Sequence, residues 1–310
     1  MRWLVAGAHG MLGQDLCAVL EAAGHEVTPA DLPGLNILSP EQCREQVAGH
    51  DIVANCAAYT AVDAAEAQEG TAFAVNAVGA ANLARAAADT GAAMVQISTD
   101  YVFAGDATTP YAEDAPLAPV SAYGRTKAAG EWAVRSLCPR SWVVRTAWLY
   151  GAAGPTGFPK AMQRLAAARD TLTVVSDQVG QPTWTWDLAH GVRRLVEAAA
   201  PFGRWHGTGS GQCSWFDLAR ATFEELGLDP ARVSPITSAE YAAMYPAAAA
   251  RPAYSVLGHD RWQQAGIEPL PHWRDALHRA APTVLRAKFG DLSGRGPGDH
   301  IPRVGPLPGR

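Results

Sequence analysis

The first half of the chain alternates short apolar runs with alanine-rich amphipathic stretches, and this alternation restricts the fold more than any other feature. Short apolar runs predict buried strands, and apolar residues spaced three and four apart predict helices. The predicted strands cover residues 2–6, 26–29, 51–55, 93–97 and 142–145, and the predicted helices cover residues 11–23, a segment after 39–40, residues 70–90 and residues 122–136. Strands that alternate with helices are joined by right-handed crossovers, which produce a parallel sheet covered on both faces. We therefore predict an α/β protein with a doubly wound parallel sheet.

Composition and charge exclude several classes of protein. The 30 acidic residues outnumber the 25 lysines and arginines and give a net charge of −5, which argues against a nucleic-acid partner. No stretch reaches the ~18 apolar residues of a membrane-spanning helix, and the N-terminal apolar run is shorter than a secretory signal. The five cysteines are scattered and include no CxxC pair, so we expect neither a disulfide framework nor a thiolate metal site. These features predict a cytoplasmic protein without a membrane partner.

A glycine-rich loop joins the first predicted strand to the first predicted helix. It reads GAHGMLG from Gly7 to Gly13, which is the pattern GxxGxxG. Gly7 allows the tight turn, Gly10 lets a pyrophosphate approach the backbone, and Gly13 lets the helix pack closely on the sheet. The first helical residues, Met11 and Leu12, present N–H groups and the positive end of the helix dipole to the phosphates. The loop therefore favours dinucleotide binding on a Rossmann-type fold over an ordinary tight turn.

An acidic residue follows the second predicted strand. Asp31 lies eighteen residues after Gly13, close to the ~20 residues expected for a carboxylate that binds the 2′-hydroxyl of the adenosine ribose. No lysine or arginine between Ala30 and Cys43 is available to pair with a 2′-phosphate. This pattern favours NADH over NADPH. The alternative is that Asp31 only starts the turn of the sequence DLPG.

A tyrosine and a lysine four residues apart begin the helix predicted over residues 122–136. The spacing of Tyr123 and Lys127 puts both side chains on one helical face. Tyrosine has an ordinary pKa of ~10, and a nearby ammonium group lowers it toward the range of general acid–base catalysis. Ser98 and Thr99 end the preceding strand, where a hydroxyl can donate a hydrogen bond to a substrate oxygen. Such a spacing is common on surface helices, but after a glycine loop it predicts a proton-transfer pair.

The regular alternation of predicted strands and helices ends after about residue 150, where a loop rich in glycine and proline begins. We predict a dinucleotide-binding domain of residues 1–150 with returning segments at about 172–205. The rest, about 151–171 and 206–288, is expected to form a smaller mixed substrate-binding lobe. Residues 290–310 contain six glycines and four prolines, so we expect 289–310 to be a flexible tail.

Several longer motifs occur in the order of one known family. They resemble the extended short-chain dehydrogenase/reductase superfamily and, more closely, the dTDP-4-dehydrorhamnose reductase family of sugar-nucleotide reductases. The matching segments, spread over roughly residues 1–280, are AAYTAVD at 57–63, STDYVF at 98–103, YGRTK at 123–127, RTAW at 145–148, DQVGQPT at 177–183 and RPAYSVL at 251–257. Motifs of this length and number are far more specific than the glycine loop alone.

The resemblance implies hydride transfer from NAD(P)H to C4 of a dTDP-4-keto-6-deoxyhexose, which converts dTDP-4-dehydro-L-rhamnose to dTDP-L-rhamnose. It implies a catalytic set in which Tyr123 protonates the developing alkoxide, while Lys127 holds the nicotinamide ribose and tunes Tyr123. Thr99 completes this set. Matched family positions also imply sugar contacts at Thr99, Asp100 and Trp148, and cofactor contacts at Ala58, Tyr59, Thr60, Tyr123 and Lys127. The family further implies Mg²⁺, without assignable ligands in this sequence, and often a homodimer.

The chain departs from the family pattern at several positions. Many members carry Thr-Arg where this chain has Asp31 and Leu32, which reinforces the preference for NADH. Ala147 replaces the serine of the usual RTSW, and Trp184 and Trp186 replace a tyrosine and a smaller residue. These changes are expected to affect the choice of sugar more than the chemistry. The cations Arg251, Lys160 and Arg164 are candidates for the substrate diphosphate by position, although each also fits an exposed surface cation.

Three other functions remain open at this point. The enzyme could reduce a related dTDP-4-keto-sugar of an antibiotic deoxysugar pathway, as in dTDP-dihydrostreptose formation. It could be an epimerase or dehydratase of the same superfamily, in which the hydride returns to the substrate. It could also be a non-catalytic, NAD(P)-binding regulatory subunit, but intact Thr99, Tyr123 and Lys127 argue against that function.

Overall fold

A six-stranded parallel sheet forms the centre of the protein. We describe it from a computed structural model; the structure describes residues 1–245 and 248–285, so the tail predicted for 289–310 lies outside the described residues. The strands are β1 Arg2–Ala6, β2 Glu26–Ala30, β3 Ile52–Asn55, β4 Ala93–Thr99, β5 Ser141–Thr146, β6 Leu149–Tyr150, β7 Leu172–Val175, β8 Val179–Gly180, β9 Thr183–Trp184, β10 Gly203–His206, β11 Cys213–Ser214 and β12 Val233–Ile236. The central sheet has the order β10-β5-β4-β3-β1-β2, and every neighbouring pair is parallel.

Helices cover both faces of this sheet, as predicted. They are α1 Met11–Ala22, α2 Pro40–Val47, α3 Val62–Ala67, α4 Glu69–Phe73, α5 Ala80–Thr90, α6 Ala122–Leu137, α7 Phe158–Ala168, α8 Thr185–Glu197, α9 Trp215–Glu225, α10 Ser238–Met244, α11 Asp260–Gln264 and α12 Trp273–Val284. Side chains of β1 alternate between the faces: Trp3 and Val5 pack with residues of α1 and α8, and Leu4 and Ala6 pack with residues of α2 and α5. The doubly wound α/β fold is therefore confirmed.

The helix predicted over residues 70–90 is interrupted. Between α4 and α5 the backbone forms a π-helical turn, Ala74–Gly79. A π-turn inserts an extra residue and redirects side chains, and such turns are frequent at functional sites. Here the turn carries the buried side chain of Asn76, whose partners are described below. The short helix α3 was not predicted, because six residues are too few to show a clear period.

The second half of the chain builds small sheets and two further apolar clusters. We expected the return to the dinucleotide-binding domain at about residue 172, but β7 pairs with β12 and joins a cluster that includes residues of α7 and α9. Helix α8 then packs on α1, and β10 becomes the edge strand of the central sheet. We therefore propose that the chain returns to the dinucleotide-binding domain at Thr185, because α8 and β10 bury their apolar side chains in the same cluster as α1 and the central sheet.

Candidate active site

The candidate site lies at the carboxyl edge of the central sheet. Strand β1 lies between β2 and β3, so the connections that leave β1 and β3 diverge to opposite faces of the sheet. Ligands of doubly wound folds bind in the crevice that forms at such a point. The glycine loop follows β1, and Ala58, Tyr59 and Thr60 follow β3 on the other side of the same crevice.

The glycine loop has the geometry of a phosphate cradle. Gly7 has a φ of 76°, and a Cβ at this residue would lie 2.5 Å from the backbone nitrogen of Ala57. A Cβ at Gly13 would lie 2.2 Å from the carbonyl oxygen of Gly7. At Gly10 the nearest atom to such a Cβ is 3.2 Å away, so this residue faces more open space. Helix α1 begins at Met11, and its first N–H groups have no intrahelical acceptor. These features fit a bound pyrophosphate.

Asp31 directly follows β2, beside the glycine loop. Its Oδ2 accepts a hydrogen bond from the backbone N–H of His9 at 3.0 Å, and its Oδ1 accepts one from Leu32 at 2.8 Å. Its carbonyl also accepts a hydrogen bond from Leu35, which closes the turn that the sequence suggested as the alternative. Asp31 thus orders both the turn and the glycine loop, and the side chain remains 28% exposed toward a ligand.

Asn76 secures the loop after β3, and its role was not predicted. Its Oδ1 accepts a hydrogen bond from the backbone N–H of Tyr59 at 2.8 Å, and its Nδ2 donates to the carbonyl of Tyr59 and to Oγ1 of Thr126. One buried amide therefore joins the loop of Ala58 and Thr60 to helix α6. An asparagine within the apolar face of residues 70–90 was the available signal.

The structure brings Thr99, Tyr123 and Lys127 together. Burial raises the pKa of Tyr123, while a hydrogen bond with Thr99 partly offsets this effect. Lys127 is 4% exposed, and its Nζ donates a hydrogen bond of 2.7 Å to the carbonyl oxygen of Ile97. Burial lowers the pKa of Lys127 to about 8, although the nearby carboxylate of Glu131 acts in the opposite direction.

These pKa directions correct one expectation. We expected the ammonium group of Lys127 to lower the pKa of Tyr123, but desolvation of the partly buried phenol dominates and raises it. At neutral pH Tyr123 carries its proton, as an ordinary tyrosine does, and can therefore serve as a proton donor. The ammonium group of Lys127 donates a hydrogen bond to a backbone carbonyl of β4.

Two glycines allow helix α6 to approach the rest of the site. A Cβ at Gly124 would lie 2.2 Å from the carbonyl oxygen of Tyr101, and a Cβ at Gly130 would lie 2.2 Å from that of Asn76. The hydroxyl of Ser121 caps the helix by accepting a hydrogen bond from the N–H of Gly124 at 3.1 Å. The helix start, and with it Tyr123, is therefore fixed by both a cap and close backbone contacts.

A buried polar network explains why Thr99, and not Ser98, faces Tyr123. Ser98 donates a hydrogen bond of 2.6 Å to Glu131, so its hydroxyl is turned away from the tyrosine. The same carboxylate accepts two hydrogen bonds from Arg145, at 2.9 and 2.8 Å. Both charged side chains are almost fully buried, and each compensates the charge of the other. This pair was not predicted, because its members lie on different elements.

Asp100 and Trp148 lie at the same edge of the sheet. Asp100 is 2% exposed; its Oδ1 accepts a hydrogen bond from Thr99, and its Oδ2 has no partner among the described residues. Burial raises its pKa to about 6, with hydroxyls of Ser255 and Thr99 acting against the shift. Trp148 follows β5, two residues after Thr146, which is paired with Thr99. Its indole stacks on Trp215, with ring centroids 3.5 Å apart.

The three cations suggested for a diphosphate already have protein partners. Arg251 binds both carboxylate oxygens of Asp63, at 2.7 and 3.0 Å. Lys160 donates to the carbonyl oxygens of Ala152 and Gly154, and Arg164 donates to that of Pro155. Lys160 and Arg164 thus brace the loop before α7.

Neither a metal cluster nor a membrane helix is found in the part of the chain that the structure describes. Within residues 1–245 and 248–285, no three His, Cys, Asp or Glu side chains are grouped so that they could hold a metal ion. No helix of the same ranges is long and apolar enough to cross a membrane.

The sequence matches the model of the family described as RmlD substrate binding domain over residues 1–285. The chain belongs to this family. It is 49% identical over 290 residues to a dTDP-4-dehydrorhamnose reductase of Streptomyces griseus, covering 91% of this chain and 94% of the relative. It is 47% identical over 286 residues to a dTDP-4-keto-6-deoxy-D-glucose reductase of Streptomyces niveus, covering 91% and 97%.

The family has members of known structure that share the fold. A Bacillus anthracis dTDP-4-dehydrorhamnose reductase in complex with NADP matches with a TM-score of 0.84 and 37% identity, covering 90% of this chain and 98% of that structure. The resemblance inferred from the motifs is therefore confirmed, and the glycine loop belongs to a family with a nicotinamide-cofactor complex.

Proposed function

We propose that this protein is an NAD(P)H-dependent reductase that converts dTDP-4-dehydro-L-rhamnose to dTDP-L-rhamnose. One observation carries the proposal above the others. Tyr123 shares one face of α6 with Lys127 and forms a hydrogen bond with Thr99, at the sheet edge that also carries the phosphate cradle. This arrangement occurs in a chain whose relatives are named as reductases of dTDP-4-keto-sugars.

The cofactor would occupy the crevice between the two loops. Gly7, Gly10 and the first turn of α1, formed by Met11, Leu12 and Gly13, would hold its pyrophosphate. Asp31 would bind the adenosine ribose, and Ala58, Tyr59 and Thr60 would lie along the cofactor. When bound, the reduced nicotinamide supplies a hydride to the C4 carbonyl carbon of the sugar.

The protein's own residues would then manage the proton. As negative charge develops on the C4 oxygen, the hydroxyl of Thr99 would turn from Asp100 to donate a hydrogen bond to that oxygen, and Tyr123 would donate its proton, so that the ketone becomes an alcohol. Lys127 would hold the nicotinamide ribose, and Asp100 and Trp148 would contact the sugar. Reduction requires a proton donor, and the phenol of Tyr123 carries a proton at neutral pH.

We further propose a preference for NADH. The 2′-phosphate of NADPH would bring negative charge against the carboxylate of Asp31, and no lysine or arginine occurs between Ala30 and Cys43 to compensate. No step of the proposed reaction is assigned to Mg²⁺. The homodimer and the cytoplasmic location remain predictions.

The decisive experiment supplies the purified protein with enzymatically generated dTDP-4-dehydro-L-rhamnose and either NADH or NADPH. We expect stoichiometric oxidation of the cofactor, formation of dTDP-L-rhamnose, and a higher kcat/KM with NADH. The matched control is Tyr123→Phe, which should lower kcat/KM by about 10²–10⁴-fold. Conversion of the sugar nucleotide to a different, unreduced product without net cofactor oxidation would instead identify an epimerase or dehydratase. A Tyr123→Phe variant with unchanged activity would refute the catalytic assignment.

A related dTDP-4-keto-sugar is a second candidate substrate. Ala147, buried beside Trp148, removes a hydroxyl that the family usually carries near the sugar, and a relative is named as a dTDP-4-keto-6-deoxy-D-glucose reductase. The same assay with dTDP-4-keto-6-deoxy-D-glucose decides between the two. Faster turnover of that sugar would refute the rhamnose assignment.

A further inference from the structure

We propose that Trp215 is a positioning residue that fixes the indole of Trp148 and thereby contributes to selection of the 6-deoxyhexose. This inference rests on the proposed function, in which Trp148 contacts the sugar. None of the family motifs quoted above includes Trp215, and it lies sixty-seven residues after Trp148 in the chain.

Trp148 has a backbone conformation that needs support from its surroundings. Its φ of 47° lies in the left-handed region, and among the described residues the only other non-glycine residue with a positive φ is Ala199. A bulky aromatic residue adopts this conformation only where neighbouring contacts outweigh the strain. One such contact is the carbonyl of Trp148, which accepts a hydrogen bond from the N–H of Thr183 at 3.3 Å.

Two side-chain contacts hold the indole of Trp148. The ring of Trp215 stacks on it at 3.5 Å between centroids and 9° between planes. Gly180 approaches it so closely that a Cβ there would lie 2.6 Å from the ring. Both contacts come from one two-stranded sheet. Strand β11 directly precedes Trp215 and pairs with β8, in which Gly180 lies opposite Cys213.

Trp215 is itself held rigidly. It is the first residue of α9, and the preceding Ser214 forms a capping box with Asp217. The Ser214 hydroxyl accepts the N–H of Asp217 at 3.1 Å, and the Asp217 carboxylate accepts the N–H of Ser214 at 3.0 Å. The ring of Phe158 also lies 4.7 Å from that of Trp215. A rigid partner of this kind can hold Trp148 in its strained conformation.

The consequence is expected in sugar binding more than in chemistry. Trp148 lies two residues after Thr146, the partner of Thr99 at the sheet edge, whereas Tyr123 and Lys127 are held by contacts with β4. Loss of the stacking partner would let Trp148 relax out of the left-handed region and lose its position against the sugar. The proton-transfer groups would stay in place.

The test compares Trp215→Leu with Trp215→Phe, which keeps an aromatic ring. The control is Trp132→Leu, since Trp132 is 62% exposed on the outer side of α6. The difference between the circular dichroism spectra of the wild type and each variant isolates the exciton couplet of the stacked indoles from that of another close pair, Trp205 and Trp262. We expect Trp215→Leu to lose the couplet, raise the KM for the sugar nucleotide roughly tenfold, and leave the KM for NADH and the pH profile unchanged. Trp215→Phe should retain most of the sugar affinity.

The outcomes separate this inference from the proposed function. If the wild-type protein reduces no dTDP-4-keto-sugar, the proposed function fails, and the couplet still tests the stack. An active wild-type protein whose Trp215→Leu variant loses the couplet but keeps its sugar KM and its preference between sugars overturns the inference. If Trp215→Leu does not fold, Gly180→Ala displaces the same indole from its other contact and should reproduce the rise in sugar KM; an unchanged KM overturns the inference.

Discussion

At the scale of single residues, burial controls the protonation of the groups around Tyr123. Desolvation raises the pKa of the Tyr123 phenol, and the same effect lowers the pKa of Lys127 to about 8. Desolvation favours the neutral form of either group. The catalytic candidates are therefore tuned by how deeply they lie in the fold.

The pKa of Lys127 predicts an alkaline limit to activity. We expect kcat/KM to decrease as the pH rises through about 8, because Lys127 loses the charge that would hold the ribose. Lys127→Arg should retain part of the activity and should not show this decrease, since arginine remains protonated. pH–rate profiles of both proteins check this, and an identical inflection in the two would contradict the role of Lys127.

The buried carboxyl of Asp100 predicts a conflict between stability and function. The pKa of Asp100 in the folded protein, about 6, lies above the ordinary 3.8. The stability that the neutral carboxyl contributes to the fold is therefore fully present below about pH 4 and is lost as the pH rises through 6. Asp100→Asn should therefore be more stable than the wild type at pH 7, by at most about 3 kcal/mol, and similar near pH 4.

Urea unfolding at both pH values measures this effect, with the exposed Asp106→Asn of the same loop as the control. The same stability difference at both pH values would show that the charge of Asp100 is not its cause. Activity should decrease in Asp100→Asn, because the proposed sugar contact is altered.

At the scale of elements, helix α6 reaches the site only because glycine occupies its contact positions. Gly124 faces the carbonyl of Tyr101, and Gly130 faces that of Asn76 in the π-helical turn. The π-helical turn therefore packs directly against α6 at Gly130. Such contacts involve backbone atoms, which cannot move aside as a flexible side chain can.

Gly130→Ala is predicted to destabilise the protein by about 1–3 kcal/mol, because the added methyl overlaps the backbone of Asn76. Gly70→Ala is the matched control, since Gly70 is also helical and nothing lies within 4 Å of its Cβ position. That change should be neutral or stabilising by up to ~1 kcal/mol. Equal unfolding free energies for the two variants would disprove the contact argument.

At the scale of the whole molecule, an ion pair joins the proposed dinucleotide-binding domain to the smaller lobe. Asp63 of α3 accepts two hydrogen bonds from Arg251 and one from the backbone N–H of Ala249. Burial alone would raise the pKa of Asp63, but these hydrogen bonds outweigh it and hold the pKa below 3.8. The pair therefore stabilises the fold at neutral pH.

We expect Arg251→Gln to lower the unfolding free energy by about 1–3 kcal/mol at pH 7. Because the pKa of Asp63 is depressed, the difference from the wild type should shrink as the pH decreases below about 4. Arg44→Gln, which removes an exposed pair with Glu41, is the control and should have little effect. A difference that does not depend on pH would exclude Asp63 as the relevant partner.

Much of the central fold could be predicted from the sequence. Strand β1 has its predicted bounds, α6 differs by one residue, and Ser39 caps α2 as expected. Each of these features depends on neighbours a few residues away, where periodicity and cap chemistry act. The π-turn at Asn76 was missed; the side-chain partner of Asn76, Thr126, lies on another helix, and local periodicity carries no signal of such a contact.

The sequence by itself determined the alternation of strands and helices, the glycine loop and the shared face of Tyr123 and Lys127. These features follow from local backbone sterics and side-chain spacing, which adjacent residues impose. Only the tertiary structure decided that burial raises the pKa of Tyr123, that Trp148 stacks on Trp215, and which residues Arg251 and Glu131 bind. Desolvation and contacts between distant segments arise only when the chain is packed, so no pattern along the chain records them.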